Sequence, residues 1–152
     1  MQAAVMLNKL CSINRSIESL GWKPDGSKEA TMHLPTDSIP SEMKADALET
    51  RGTQWGDIAV RYLDLPPGVD FTPLLKGLPQ DRCQSPHWGY VLSGSIHIRY
   101  TDGNEEVARA GEVFYWPAGH TGWTQEGITF LEFSPATEIQ PVLDHVRAQM
   151  AG

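Results

Sequence analysis

A chain of 152 residues with 40% hydrophobic and 20% charged side chains has the length of one domain and enough apolar content to build a core. Its formal net charge of −7, with no basic stripe, argues against a nucleic-acid partner. No apolar run reaches the roughly 18 residues of a membrane helix, so no membrane partner is expected, and the 14 glycines and 11 prolines predict many turns and hence many short strands.

The first elements are weakly marked. Residues 3–20 carry Val5, Leu7, Leu10, Ile13, Ile17 and Leu20 at mixed spacings of two, three and four, a helical pattern that Gly21 would end and Pro24 would follow. Asn8, Lys9, Asn14 and Arg15 interrupt this stretch, so it does not read as a signal peptide. Residues 24–41 read as an extended arm with an edge strand over 31–34. Residues 42–49 read as one turn of helix.

From Trp55 onward the pattern is that of strands. Ile58, Val60, Tyr62, Leu63 and Leu65 predict a strand that Pro66-Pro67-Gly68 stops. Residues 69–75 read as another strand, broken or placed at an edge by Pro73, and 77–86 as a loop. Trp88, Tyr90 and Leu92 form one alternating set, Ser93-Gly94-Ser95 reads as a tight turn, and Ile96, Ile98 and Tyr100 form a second set with His97 and Arg99 facing solvent. Asp102-Gly103 is the strongest hairpin signal in the chain. Strands follow over 105–109, 113–116, 123–125 and 128–133. The tail is helical: 137–140 matches a capping box, Pro141 falls in the first turn, and Ile139, Leu143, Val146 and Met150 form one apolar stripe. The expected organisation is an N-terminal helix and arm over 1–54, an all-β barrel over 55–134, and a C-terminal helix packed on it over 135–152.

The stretch 81–123 carries the chemistry. Cys83, His87 and His120 are three soft or borderline metal ligands. One thiolate with two imidazoles suits Zn²⁺, with Fe, Ni or Co as alternatives, and leaves a position open for a substrate. In an extended segment Asp81, Cys83 and His87 share a parity with Gly89 and Val91, although a break at Pro86 would reset it. Against this stands the packing alternative: Cys83 as a small hydrophobe, and two histidines bonded to each other or to the backbone. Asp81 reads as a solvated loop carboxylate, and Cys11, His33 and His145 as structural or exposed.

The same residues carry a resemblance to the cupins, small double-stranded β-helix (jelly-roll) barrels. The second cupin motif, G-x5-P-x-G-x2-H, is matched by Gly111 and Pro117-Ala118-Gly119; its histidine position falls on Gly122, while the histidine here stands two places earlier, at His120. Counting back from Gly94 through the first motif, H-x-H-x3,4-E-x6-G, the glutamate position falls on His87 and the two histidine positions on Asp81 and Cys83. A C-x3-HWGYVL and P-x-G-H-T pattern is similar to that of small single-domain cupins. The resemblance covers about 55–134 and implies the jelly-roll fold and a ligand site at the barrel mouth, with a bound water standing where Gly122 offers no side chain.

Two cysteines far apart do not make a disulfide framework, so a reducing, cytoplasmic setting is expected. Trp88, Tyr90 and Leu92 make one strand face continuously apolar. If the odd side faces the pocket, something must cover this side, either the N-terminal arm or, in a homodimer, a second copy. Three functions stay open: a metal-dependent enzyme (dioxygenase, isomerase or cyclase) on a small organic molecule, with Tyr115 or Asp81 as acid-base group; a non-catalytic small-molecule binder or sensor; and a cupin with a decayed site. The departures from the His/His/Glu/His pattern count against a standard dioxygenase, and the retained soft ligands against simple decay.

Overall fold

The structure is a computed structural model that describes residues 32–45 and 48–151. The helix expected over 3–20, and Cys11 with it, lie outside the described residues. The antiparallel strands are β1 (Ser41–Ala45), β2 (Leu48–Trp55), β3 (Ile58–Leu65), β4 (His87–Tyr100), β5 (Glu105–Arg109), β6 (Val113–Trp116), β7 (His120–Trp123) and β8 (Ile128–Pro135), and one α-helix, Ala136–Ala151, ends the chain. The strand order β1-β2-β3-β8-β4-β5 is open rather than closed, with β6 and β7 also paired to β4.

Strand β4 organises the whole arrangement. Its first half pairs with β6 and β8, and its second half with β5 and β7. One 14-residue strand thus belongs to two sheets. The core lies between them: Leu63, Val91, Ile128 and Phe130 from one sheet meet Ile96, Ile98 and Ala108 from the other. The tight turn expected at Ser93-Gly94-Ser95 is instead a bend within this strand. Gly94 takes φ +74, where an added Cβ would stand 2.0 Å from the Gly127 carbonyl oxygen, so only glycine lets the backbone swing there without losing both neighbours. The reversal comes later, at Asp102-Gly103, where Gly103 has φ 86 and the Asp102 carboxylate accepts a hydrogen bond from the Asn104 amide at 3.0 Å.

Four local expectations are corrected. Within the helical turn expected over 42–49, the described residues 42–45 and 48–49 fall in β1 and β2, so strands begin before the expected barrel start at 55. A single turn makes too few hydrogen bonds to offset its nucleation cost, whereas as strands this stretch sends Met43, Leu48 and Thr50 inward. Residues 69–75 are not a strand: Thr72–Leu75 is a short 3-10 turn, opened by Pro73 in its first positions and by the Asp70 carboxylate accepting from the Thr72 amide at 2.8 Å. The strand expected over 123–125 lies earlier, and His120 opens it. Met32, His33 and Leu34, within the edge strand expected over 31–34, are irregular, and His33 is exposed. The final helix starts at Ala136, ahead of the capping box, and Gln140 donates to Asp144 at 2.8 Å. Its apolar stripe buries Ile139, Val142, Leu143 and Val146 over Leu75 and Cys83.

Candidate metal centre

Three chain segments converge to build the site. Cys83 is held against the start of β7 by two backbone bonds: its amide donates to the His120 carbonyl at 2.8 Å, and the Gly119 amide donates back to the Cys83 carbonyl at 2.7 Å. His87 opens β4 opposite Trp116 of β6. Burial alternates at Cys83, Ser85 and His87 straight through Pro86 and on to Val91, so the odd-numbered parity survives that residue. All three ligand types are buried, and one ligating atom from each of Cys83, His87 and His120 lies within 4.8 Å of the others.

The second nitrogen of each imidazole is already engaged. His120 Nδ1 lies 2.6 Å from the Pro117 carbonyl oxygen, which only accepts, so this nitrogen carries the proton and Nε2 keeps its lone pair. His87 Nδ1 lies 2.7 Å from Ser134 Oγ, and its Nε2 lies 3.4 Å from Cys83 Sγ. An imidazole fixed through Nδ1 with Nε2 turned to a thiol, as His87 is, is oriented as a metal ligand is. The two rings stand at 79° with centroids 5.0 Å apart.

Burial governs the charge states. It pushes the Cys83 thiol up to about 12, depresses His87, and, with His87 nearby, lowers His120 to about 4. Without a cation near neutral pH the centre therefore holds a thiol and two neutral imidazoles. Burial thus works against a thiolate–imidazolium nucleophile here.

Beside the triad lies a charged network that sequence reasoning missed. Arg61 donates through Nε to Glu42 at 2.9 Å and through Nη1 to Glu132 at 2.7 Å, and both Arg61 and Glu132 are buried. Burial alone would lower the Arg61 guanidinium and raise the Glu132 carboxyl. Glu132 and Glu42 outweigh it for Arg61, and for Glu132 it is outweighed by His87 where that ring is protonated and by the charge and hydrogen bond of Arg61, which persist at neutral pH, so both stay charged. The Glu132 charge acts on Cys83, His87 and His120 alike. The signal was available: Glu132 shares strand parity with Ile128, Phe130 and Ser134, all buried.

The other candidates lie elsewhere. Asp81 is exposed, its carboxylate accepting from the Gly77 amide at 2.8 Å. Tyr115 is on the outer face of the sheet, stacked on Trp88 with centroids 5.0 Å apart, so it does not serve the site. The water expected at Gly122 has no room: a Cβ there would meet Ile98 Cδ1 at 2.9 Å, because Ile96 and Ile98 fill that space. His145 lies 3.0 Å from the Lys76 carbonyl, and His97 stacks on Trp123 at 5.2 Å, both away from the centre.

No family model and no curated protein matches this sequence. Solved structures do. An oxalate decarboxylase from Lactobacillus farciminis, in a formate complex, aligns at 15% identity with a TM-score of 0.52, over 73% of this chain and 34% of its own. The Bacillus subtilis oxalate decarboxylase, described with Mn(II) centres, aligns at 17% identity with a TM-score of 0.52, over 73% and 31%. The fold is that of the cupins. This chain spans about a third of the length of those two enzymes, and at such identities the likeness concerns the fold alone.

Proposed function

We propose that the protein holds one divalent metal ion through Cys83, His87 and His120 and presents it to a small organic molecule in the cavity beneath. The carrying observation is the paired arrangement of the two imidazoles, each with Nδ1 engaged by Pro117 or Ser134, around a buried thiol. The donor set fits zinc first: a thiolate and two imidazoles form a three-ligand site with one position left for a ligand, and thiolate is a poor partner for the Mn(II) described in the Bacillus enzyme. The buried Glu132 carboxylate adds negative charge next to the centre and favours a cation there. When bound, such a metal supplies Lewis acidity toward an oxygen or nitrogen atom. Among the described residues Glu132 is the one fully buried carboxylate, ionised and on the cavity wall, and so the one positioned to accept a proton. A metal-dependent transformation of a small molecule is the reading this supports. The outward placement of Tyr115 and Asp81 favours, as the second reading, a metal-dependent binder without turnover. The C-x3-HWGYVL and P-x-G-H-T stretches bracket the site and would mark small cupins built the same way.

We also propose a homodimer in which a second copy covers the outer face of β6, β4 and β8. Tyr115, Trp88 and Phe133 lie side by side in register, with Val113, Tyr90 and Leu131 in the next row. These rows carry no charge, so the face can meet its own copy without the repulsion that a net charge of −7 imposes elsewhere. Metal analysis of tag-free protein, followed by turnover screening of the loaded form, tests the functional reading. Stoichiometric metal supports it, and a protein free of metal after reconstitution defeats it.

A further inference from the structure

The cavity beside the triad has a volume of about 90 Å³. A cavity of about 150 Å³ takes a benzene ring, so this one has room for roughly three or four heavy atoms. Most of its wall is aliphatic or aromatic, supplied by both sheets and by the final helix, with Leu63, Phe71, Ile98 and Leu143 among the contributors.

The polar groups in that wall are almost all satisfied. Arg61 is paired with Glu42 and Glu132, both imidazoles have a partner on Nδ1, and Thr121 Oγ1 lies 3.1 Å from Thr72 Oγ1. Two are not. Thr50 Oγ1 and Trp116 Nε1 are buried without any hydrogen-bond partner, and both residues line this cavity. Thr50 is 1% exposed and Trp116 3%. A buried indole N–H with nothing to donate to is costly, and so is an orphaned hydroxyl. Trp116 stands beside the centre, its ring centroid 6.0 Å from that of His120 and 6.5 Å from that of His87.

We infer that the cavity takes an uncharged, largely apolar molecule of roughly four heavy atoms, carrying an oxygen or nitrogen acceptor that Trp116 Nε1 or Thr50 Oγ1 binds. This deepens the metal-centre reading and rests on it for which end of the cavity the chemistry occupies. The wall decides against an anion: it is mostly apolar, and the buried, ionised Glu132 stands in it. Glu42 and Glu132 face Arg61, with Arg147 reaching Glu42 at 3.7 Å, so the network holds no spare positive charge. Among the described residues no cation of the cavity wall is left over for a carboxylate, because Arg61 is held by two already. An acceptor without charge satisfies the orphaned donor and loses little on leaving water.

The test uses zinc-reconstituted protein and three probes of one size and shape: acetone, isobutene and acetate, with affinities measured by ligand-observed NMR and zinc content measured on the same samples. Acetone is expected to bind tightest. Trp116→Phe or the isosteric Thr50→Val is expected to weaken it about 5- to 10-fold while leaving isobutene unchanged. Acetate binding tightest, acetone binding no better than isobutene, no probe binding at all, or no loss in either variant would overturn the assignment. Zinc content separates this from the metal reading. Zinc-free protein that shows the acetone pattern keeps the ligand class and loses the metal, and zinc-bound protein that prefers acetate does the reverse.

Discussion

At the end beside the triad, the two faces of the sheet formed by β3, β8, β4 and β6 depart from the usual arrangement. Its inner face carries Arg61, Glu132, Ser134 and His87, all buried. Its outer face carries Trp88, Tyr90, Tyr115 and Phe133, each at least 40% exposed. A sheet built only for stability would put the aromatics inside and the charges outside. Burying charge costs several kcal/mol per ion unless it is paired and bonded. The charged and imidazole groups of the inner face therefore have to be bonded, and the bonds at Arg61, His87 and His120 meet that condition, while Trp116 Nε1 and Thr50 Oγ1 are left over. The outer face is the complement: apolar surface that water tolerates poorly and a second copy would cover.

The largest expected effect comes from breaking the inner face at its ion pair. Arg61→Met leaves Glu132 buried beside the triad without its cation, at a cost of about 3–5 kcal/mol and a melting temperature lower by about 10 °C. Calorimetry would show it. A loss under about 1 kcal/mol would mean that Glu132 reaches water and the inner face is not sealed.

Acid attacks the same face. His120 is held neutral, its pKa lowered from 6.5 to about 4, so an unfolded chain takes up that proton more readily than the folded one. The stability this contributes is complete above pH 6.5 and is lost as pH falls toward 4, on the order of 3 kcal/mol over that window in metal-free protein. Glu132, whose pKa is also lowered, adds a further loss as pH falls below its ordinary value of 4.5. Denaturant melts from pH 7 to pH 4 measure the slope. A flat profile would show that His120 is not desolvated.

A finer cut is Ser134→Ala, which removes the partner of His87 Nδ1 and leaves the ligating atoms in place. Metal affinity is expected to fall about 10- to 100-fold, with the melting temperature of metal-free protein little changed. On the outer face, Trp88→Lys is expected to alter the stability of a single copy by no more than about 0.5 kcal/mol and yet to shift sedimentation to one chain. A wild-type protein that already sediments as a single chain at micromolar concentration contradicts the second copy and leaves the outer face unexplained.

The fold was legible because its signals are local. Period-2 alternation in 58–65 and 128–133 and the Asp102-Gly103 turn each require only neighbours in sequence. Ser93-Gly94-Ser95 misled because the same residues serve a reversal and a bend, and the choice rests on Gly127, which meets Gly94 only once the sheets have formed. Residues 42–49 misled because good helix formers lost to cross-strand burial and to the pairing of Glu42 with Arg61. At the site, Cys83, His87 and His120 stood out as residue types, and strand parity placed the first two on one side. The Ser134, Glu132 and Trp116 contributions depend on which strands become neighbours, as in Gly89 opposite Glu132, and no spacing within the chain records that.

Cobalt(II) titration of the tag-free protein tests the inner-face account most directly, because a cobalt–thiolate bond absorbs in the near ultraviolet and a tetrahedral cobalt site absorbs strongly in the visible. Both bands are expected to saturate at one equivalent and to vanish on adding zinc, and Cys83→Ser is expected to lose the near-ultraviolet band while remaining folded. Wild-type protein that titrates without a thiolate band, or bands that persist in Cys83→Ser, would contradict a metal centre at Cys83, His87 and His120.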